Sequence, residues 1–295
     1  IPVMKSNYPL WETIYNDWIP TWASAPLSFL LYGIIGYFLI ELNNTFAIIR
    51  MRASVQTAIY FLLISVCPAM HQLYAGNVAA IAFLFSIYFL FKSYQQSQAS
   101  GYLFYSFLFI GAGSLFFPQL TLFIPIFWIG AYSFQALTPK SFFGGLIGWT
   151  LPYWFLFGHA YFYGEIELFY QPFIELVTFH PITLWNFPLW EIATLGYLFL
   201  LFIVSSVHCL VAGYEDKIRT RSYLHFLIFL TFCIFVYILL QPAQTFHLLP
   251  LLLIGLSILT GHFVVLTNSR ASNVFFICAL AGLILLFGFN VWMLL

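Results

Sequence analysis

Charged residues are what this sequence most lacks. Aspartate, glutamate, lysine and arginine make up 6% of its 295 residues, whereas hydrophobic residues make up 63% and the mean hydropathy is +0.96. A typical soluble domain is about 25% charged, so this chain has too few charges to cover a surface that faces water. Nine basic and nine acidic residues leave no net charge, which excludes a strongly basic surface for nucleic acid. The composition predicts an integral membrane protein.

Cysteine motifs are missing as well. The four cysteines stand singly within apolar segments, without a C-x-x-C pair or a Cys/His spacing typical of zinc sites. They are Cys67, Cys209, Cys233 and Cys278. Buried cysteine commonly behaves as a small apolar side chain, so we predict no disulfide, no metal site and no cofactor from them.

Long apolar segments dominate what is present. About 20 mostly apolar residues cross a bilayer as a helix. By that criterion the sequence predicts an all-α bundle in one transmembrane domain, with about ten spans at 24–42, 53–70, 77–94, 101–117, 120–137, 142–163, 191–212, 222–240, 247–266 and 273–294. Pro118 and Gln119 divide the pair 101–117 and 120–137, which is compatible with two crossings or with one re-entrant hairpin.

The basic residues predict the orientation. Eight of the nine lie in alternate connections, and only Lys5 lies on the opposite side. The positive-inside rule makes the side of the eight cytoplasmic, so we predict a multi-pass inner-membrane protein with residues 1–23 and the C-terminus outside. Because the sequence begins with Ile1 and not with methionine, we also expect further chain upstream. The eight are Arg50, Arg52, Lys92, Lys140, Lys217, Arg219, Arg221 and Arg270.

One outer connection, 164–190, is long. Within it, 165–179 mixes three glutamates with apolar residues. A charge at mid-bilayer costs about 2.5–3.5 kcal/mol, so this segment is predicted to lie along the membrane surface and not to cross it. Phe169, Phe173, Ile174 and Val177 are then expected to face lipid. Together with 1–23, the connection would form a short outer cap.

Two acids before the first span are the candidate catalytic residues. Glu12 and Asp17 lie where membrane glycosyltransferases that use polyprenyl-phosphate sugars place a general base. The alternative is a short amphipathic helix whose acids face water while Trp11 and Trp18 are buried beneath them. No acid is predicted at mid-membrane, which argues against transport driven by protons or sodium.

The outer ends of the spans carry amides, histidines and aromatic residues. They could line a pocket for a sugar or a lipid phosphate, or form the belt expected at any membrane interface. The candidate binding residues are His71, Gln72, Asn77, Gln119, His159 and His247. The outer histidines, including His180, could also assemble a metal site, although interfacial histidines commonly do no more than form hydrogen bonds.

Three segments carry a resemblance to a known family: FAIIRMRASVQTAIYFLLISVCPAMHQLYAGNVAAIAFLFSIYFLFKSYQ, GAGSLFFPQLTLFIPIFWIGAYSF and SFFGGLIGWTLPYWFLFG. With the basic pair before the second span, Pro68, Asn77, Lys92 and the Gly148–Pro152 pair, they resemble an uncharacterised family of polytopic inner-membrane proteins of Bacteroidota, known as a domain of unknown function. The resemblance covers roughly residues 8–160. It implies an inner-membrane location and one more upstream helix, and it assigns no catalytic residue.

The sequence leaves three functions open. The first is a non-enzymatic envelope or membrane-assembly component, which fits the lack of a chemical motif. The second is an enzyme acting on a lipid-linked substrate, such as a polyprenyl-phosphate or a glycolipid, at the outer face. The third is a carrier of lipids or other amphipathic molecules. All three predict membrane lipids as partners, the first also predicts partner subunits, and none predicts nucleic acid.

Overall fold

The computed structural model describes residues 8–49, 54–178, 188–213, 216–267 and 270–294, and within these ranges the chain is all α-helical, without a strand. This confirms the predicted fold class. The α-helices are α1 Pro9–Trp18, α2 Ser24–Phe46, α3 Val55–Ser65, α4 Ala75–Lys92, α5 Ser100–Phe116, α6 Ile124–Ser133, α7 Pro139–Tyr163, α8 Glu167–Val177, α9 Leu189–Ala212, α10 Ile218–Leu240, α11 Thr245–Leu266 and α12 Arg270–Leu294.

Six of these helices are long and apolar enough to cross a membrane: α2, α4, α9, α10, α11 and α12. This pattern of helices is that of a multi-pass membrane protein. The predicted count of about ten spans is not confirmed. Helix α3 has 11 residues and α6 has 10, because 3-10 segments opened by Pro68 and Pro118 replace α-helix beside them. Proline has no N–H to continue an α-helical ladder, which shortens the regular helix.

The chain divides into two compact units. Unit 1 consists of Ser28–Leu73 and Pro181–Leu295, and unit 2 consists of Pro2–Leu27 and Tyr74–His180. Unit 1 thus holds most of α2, together with α3 and α9 to α12, whereas unit 2 holds α1 and α4 to α8.

Helix α11 is the core of unit 1. Every residue from His247 to Phe263 is buried, and the helix contacts α3, α9 and α10. A helix that is apolar around its whole circumference is stable only when other helices surround it, which explains its central place. Gly255 lets the Thr231 side chain of α10 approach α11 closely, because a Cβ at that position would collide with the threonine hydroxyl.

Unit 2 is built on close contact between α5 and α7. A Cβ on Gly111 would collide with the Trp149 carbonyl, and a Cβ on Gly148 would collide with the Phe104 carbonyl. Small residues at such crossings allow two membrane helices to approach backbone to backbone. Glycine at both positions therefore sets the distance between α5 and α7.

Helix α8 agrees with the surface helix predicted within 165–179. It has 11 residues, which rise about 16.5 Å and cannot cross a hydrocarbon core of about 30 Å. Its aromatic residues Phe169 and Phe173 pack against α7, yet Phe173 is 37% exposed, and Ile174 and Val177 are more exposed still. Three of the four side chains predicted to face lipid are therefore exposed, and Phe169 is half-buried.

Helix α1 forms next to α8 and contacts both α5 and α8. Trp11 is buried, as predicted, and Tyr8 packs edge-on against Phe117 at 5.9 Å. The prediction that Trp18 is buried is wrong, since its side chain is 81% exposed. Trp18 ends the helix, and the backbone becomes extended at Ile19, so the last side chain of α1 projects from the unit.

Candidate metal centre

The predicted outer candidates in unit 2 do not share one environment. Glu12 is half-buried and Asp17 is exposed on α1. Asn77 is fully buried in the first turn of α4, and Gln119 is buried in the 3-10 segment Pro118–Phe123. His159 is exposed on α7 and lies against the Tyr163 ring at 4.6 Å.

The remaining outer candidates lie in unit 1. His71 and Gln72 are exposed after α3, whereas His247 is buried in the first turn of α11. His180, the fourth of the outer histidines, lies outside the described residues. In the described part of the chain, no outer histidine belongs to a group of three potential metal ligands.

The structure brings together a different set of residues, at the ends of α9 and α11. His208, Cys209 and His262 each offer one ligand atom, and these atoms all lie within 4.8 Å of one another. Cys209 is 2% exposed and His262 is fully buried. The acid Asp216, 8% exposed, completes the group. We call these four residues the His–Cys–Asp cluster.

The local fold explains how the cluster forms. Helix α9 ends at Ala212, which leaves His208 and Cys209 near its end, and His262 lies near the end of α11 at Leu266. The Asp216 N–H donates to the Gly213 carbonyl at 3.1 Å. The Asp216 carboxylate, just before the start of α10, lies beside His262.

His262 is contacted at both ring nitrogens. Its Nε2 lies 3.1 Å from the Asp216 carboxylate, and its Nδ1 lies 3.5 Å from the Cys209 sulfur. A carboxylate accepts only, so Nε2 carries the proton and donates to Asp216 in a neutral ring. Nδ1 then presents its lone pair towards Cys209, which is the arrangement that a metal-binding histidine needs.

Neighbouring side chains enclose the cluster. One turn before Cys209, the Ser205 hydroxyl lies 3.2 Å from the Thr260 hydroxyl, which joins α9 to α11. The Phe263 ring packs against the His208 ring at 4.9 Å and against Phe275 at 5.4 Å. The cluster is therefore held between the two helices and covered by aromatic rings.

The electrostatics favour a cation at this place. The carboxyl end of a helix carries a partial negative charge in its last turn, and the ends of α9 and α11 both supply ligands. The two charges of a divalent ion would be balanced by the Cys209 thiolate and the Asp216 carboxylate. A buried group without net charge avoids the large cost of burying an unpaired ion.

The donor set identifies the class of metal. Two imidazole nitrogens and one thiolate suit zinc and related transition metals, whereas magnesium and calcium prefer oxygen ligands. A carboxylate that accepts from the second nitrogen of a metal-binding histidine is a common feature of zinc sites, and Asp216 stands in that position relative to His262. A tetrahedral ion would take its fourth ligand from Asp216 or from water.

No protein-family model, no curated protein and no solved structure matches this chain. The resemblance to the Bacteroidota family therefore stays a prediction.

Sequence patterns did not predict the His–Cys–Asp cluster, because the only metal site considered between spans used the histidines at their outer ends, and other ligands were sought at spacings within one helix. Cys209 and His262 are 53 residues apart, and only the return of α11 to the same end of unit 1 joins them. One signal was present: the adjacent pair His208–Cys209 closes one predicted span, and His262 closes another that ends on the same predicted side.

Proposed function

We propose that this chain is a non-enzymatic component of the bacterial inner membrane whose unit 1 is held together by a buried divalent transition metal, with zinc as the ion that its ligands suit best. The observation that carries the proposal is the convergence of His208, Cys209 and His262 on one point, with their ligand atoms within 4.8 Å. The ion would tie the end of α9 to the end of α11.

Burial supports a structural role for the ion over a catalytic one. Catalytic zinc keeps a position open to substrate, whereas structural zinc is closed off by protein. Cys209 and His262 are both buried, and His208 is half-buried. The nearby cavity that includes Thr260 has a volume of only about 40 Å³ and is not lined by any member of the cluster. That space is far too small for a lipid-linked substrate.

A thiol enzyme is the second candidate, and one observation favours it. Cys209, His262 and Asp216 stand in the order nucleophile, base and orienting acid, at 3.5 and 3.1 Å. In that role His262 would accept the thiol proton and Asp216 would hold the ring. The burial of Cys209 and the presence of His208 at the same point favour the metal, because a triad needs access and has no use for a second histidine.

Metal analysis of the purified protein tests the proposal. We expect about one zinc ion per chain after purification in detergent, because three ligands, one of them held by the Asp216 carboxylate, bind zinc tightly. Cys209→Ser and His262→Ala should each remove most of it. Cys233→Ser and His225→Ala, which change the same residue types on α10, serve as matched controls and should keep the metal.

Thiol labelling separates the two candidates. If Cys209 ligates zinc, an alkylating reagent should modify it only after a strong chelator has removed the ion, since a coordinated thiolate is protected. A chain that carries no metal, and whose Cys209 reacts at the same rate with and without chelator, would contradict the metal centre and support the thiol enzyme.

The orientation in the membrane is also part of the proposal. The sorting of the basic residues supports a cytoplasmic position for the α9–α10 connection, which would place the cluster at the cytoplasmic ends of α9 and α11. We expect a cysteine at Arg219 to resist an impermeant thiol reagent in intact cells, and a cysteine at Glu167 on α8 to react. Labelling at position 219 alone would invert the topology.

A further inference from the structure

Unit 2 contains a cavity that the metal centre does not explain. It lies between α7 and α8 and has a volume of about 350 Å³, within the range of about 300–1,000 Å³ typical of ligand sites. Six of its seven lining residues are aromatic, five of the seven come from α7, and two come from α8. We propose that this cavity binds one acyl chain of a phospholipid with an amine headgroup, from the leaflet on the side of α8.

The fold forms the cavity by returning the chain onto α7. Gly164 adopts a left-handed conformation at φ 75°, and the Glu165 N–H donates to the Ala160 carbonyl, which ends α7 and reverses the chain. Helix α8 then lies across the end of α7. Phe169 packs against Phe157 at 5.2 Å, and Phe173 packs against Tyr153 at 5.1 Å. These contacts place the aromatic side of α8 over the cavity.

The shape of the cavity fits a hydrocarbon chain. Its lining runs along α7 from Trp149 to Phe157, nine residues that span about 12 Å. None of its lining residues is charged or carries an amide. A sugar or a peptide there would leave buried polar groups unpaired, at a cost that an acyl chain does not incur. The cavity is also open sideways, because Trp154 is 69% exposed and Phe157 is 39% exposed. A lipid can therefore enter from the bilayer.

The acidic side chains on and near α8 favour a lipid with an amine headgroup. Glu165 and Glu167 are exposed at the start of α8, and α1, which contacts α8, carries Glu12 and Asp17. The described stretch 158–178 contains no lysine or arginine. Acidic side chains at headgroup level attract the ammonium of phosphatidylethanolamine and repel an anionic headgroup such as phosphatidylglycerol. The site thus combines an apolar slot with an acidic rim.

Photo-crosslinking tests the proposal on the full chain in bilayer nanodiscs. The probe is phosphatidylethanolamine with a diazirine halfway along one acyl chain, and mass spectrometry maps the modified residues. We expect labelling of Phe157, Phe169 and their neighbours above the level at Phe155, which is exposed on α7 but does not line the cavity. The same probe with a glycerol headgroup should label these residues less.

A pair of variants adds a second measurement. Thr150→Phe places a ring in the cavity and should reduce cavity labelling to the level of Phe155, whereas Ile147→Phe adds the same ring on an exposed part of α7 outside the lining. Labelling spread evenly over α7 in the wild-type chain would overturn the proposal whether or not the variants fold. Equal labelling by the two headgroups, or cavity labelling that Thr150→Phe leaves unchanged in a folded protein, would also overturn it.

Discussion

The helices of unit 1 and those of unit 2 are held together by different kinds of contact. In unit 2, glycines bring α5 and α7 into backbone contact, and the buried polar groups between helices include hydroxyl pairs such as Ser86 and Ser106, 3.1 Å apart. In unit 1, the buried helix α11 ends in a cluster of ionisable side chains. Unit 1 also has a close glycine contact, Gly255 against Thr231, and adds to it a group of potential metal ligands.

The largest effect is expected from disturbing the shape of unit 2. Gly148→Leu drives a side chain into the Phe104 carbonyl of α5, and overpacking of this kind costs about 3 kcal/mol. We expect that loss in the free energy of unfolding, measured by denaturation in mixed micelles. Gly158→Leu on the same helix is the control, because a Cβ there meets nothing within 4 Å. Equal stability of the two variants would show that the α5–α7 contact does not hold unit 2 together.

The second-largest effect is expected on the metal affinity of unit 1 when Asp216 is changed. Asp216→Asn keeps an oxygen that can accept from His262 but removes the negative charge, and changes of this type cost about 10–100-fold in metal affinity. Competition with a chelator of known affinity measures the change. Glu191→Gln neutralises the other acid that is 8% exposed in unit 1 and should leave zinc affinity unaltered. An equal response of both variants would mean that overall charge, and not the Asp216–His262 contact, controls binding.

The smallest effect is expected at the acids of unit 2. The double substitution of Glu12 and Asp17 by alanine should change the free energy of unfolding by no more than about 0.5 kcal/mol, as for most surface sites, because Asp17 is exposed and Glu12 is half-buried. Thermal unfolding in detergent measures it. If the same variant abolished a cellular function while the protein stayed folded, these acids would regain the catalytic role that the sequence suggested.

Sequence patterns predicted where helices occur more accurately than they predicted which helices are long enough to cross the membrane. Each of the ten apolar segments contains a helix, because apolar runs of that length have no other stable form in lipid. Helix α8 was also expected, from the three glutamates of segment 165–179. Segment 53–70 was read as one span, but α3 stops at Ser65 and Pro68 opens a 3-10 turn. Hydropathy counts residues, whereas the length of a helix depends on where proline interrupts its hydrogen bonds.

The His–Cys–Asp cluster was beyond sequence reasoning for a different reason. Its four members come from two helices and a turn, and which helix α9 contacts is decided by packing that periodicity does not encode. Glu12 and Asp17 became candidates because of their position before the first predicted span. Asp216 lies in the short connection between α9 and α10, and the fold buries it beside His262.

X-ray absorption at the zinc edge tests the central claim most directly, because it reports the ligands of the ion in the intact, detergent-purified chain. The account predicts a first shell with one sulfur at about 2.3 Å and at least two nitrogens at about 2.0–2.1 Å. Cys209→Ser should remove the sulfur scattering, and Cys233→Ser should leave it in place. A shell of nitrogen and oxygen alone in the wild-type protein would contradict a metal centre at the ends of α9 and α11.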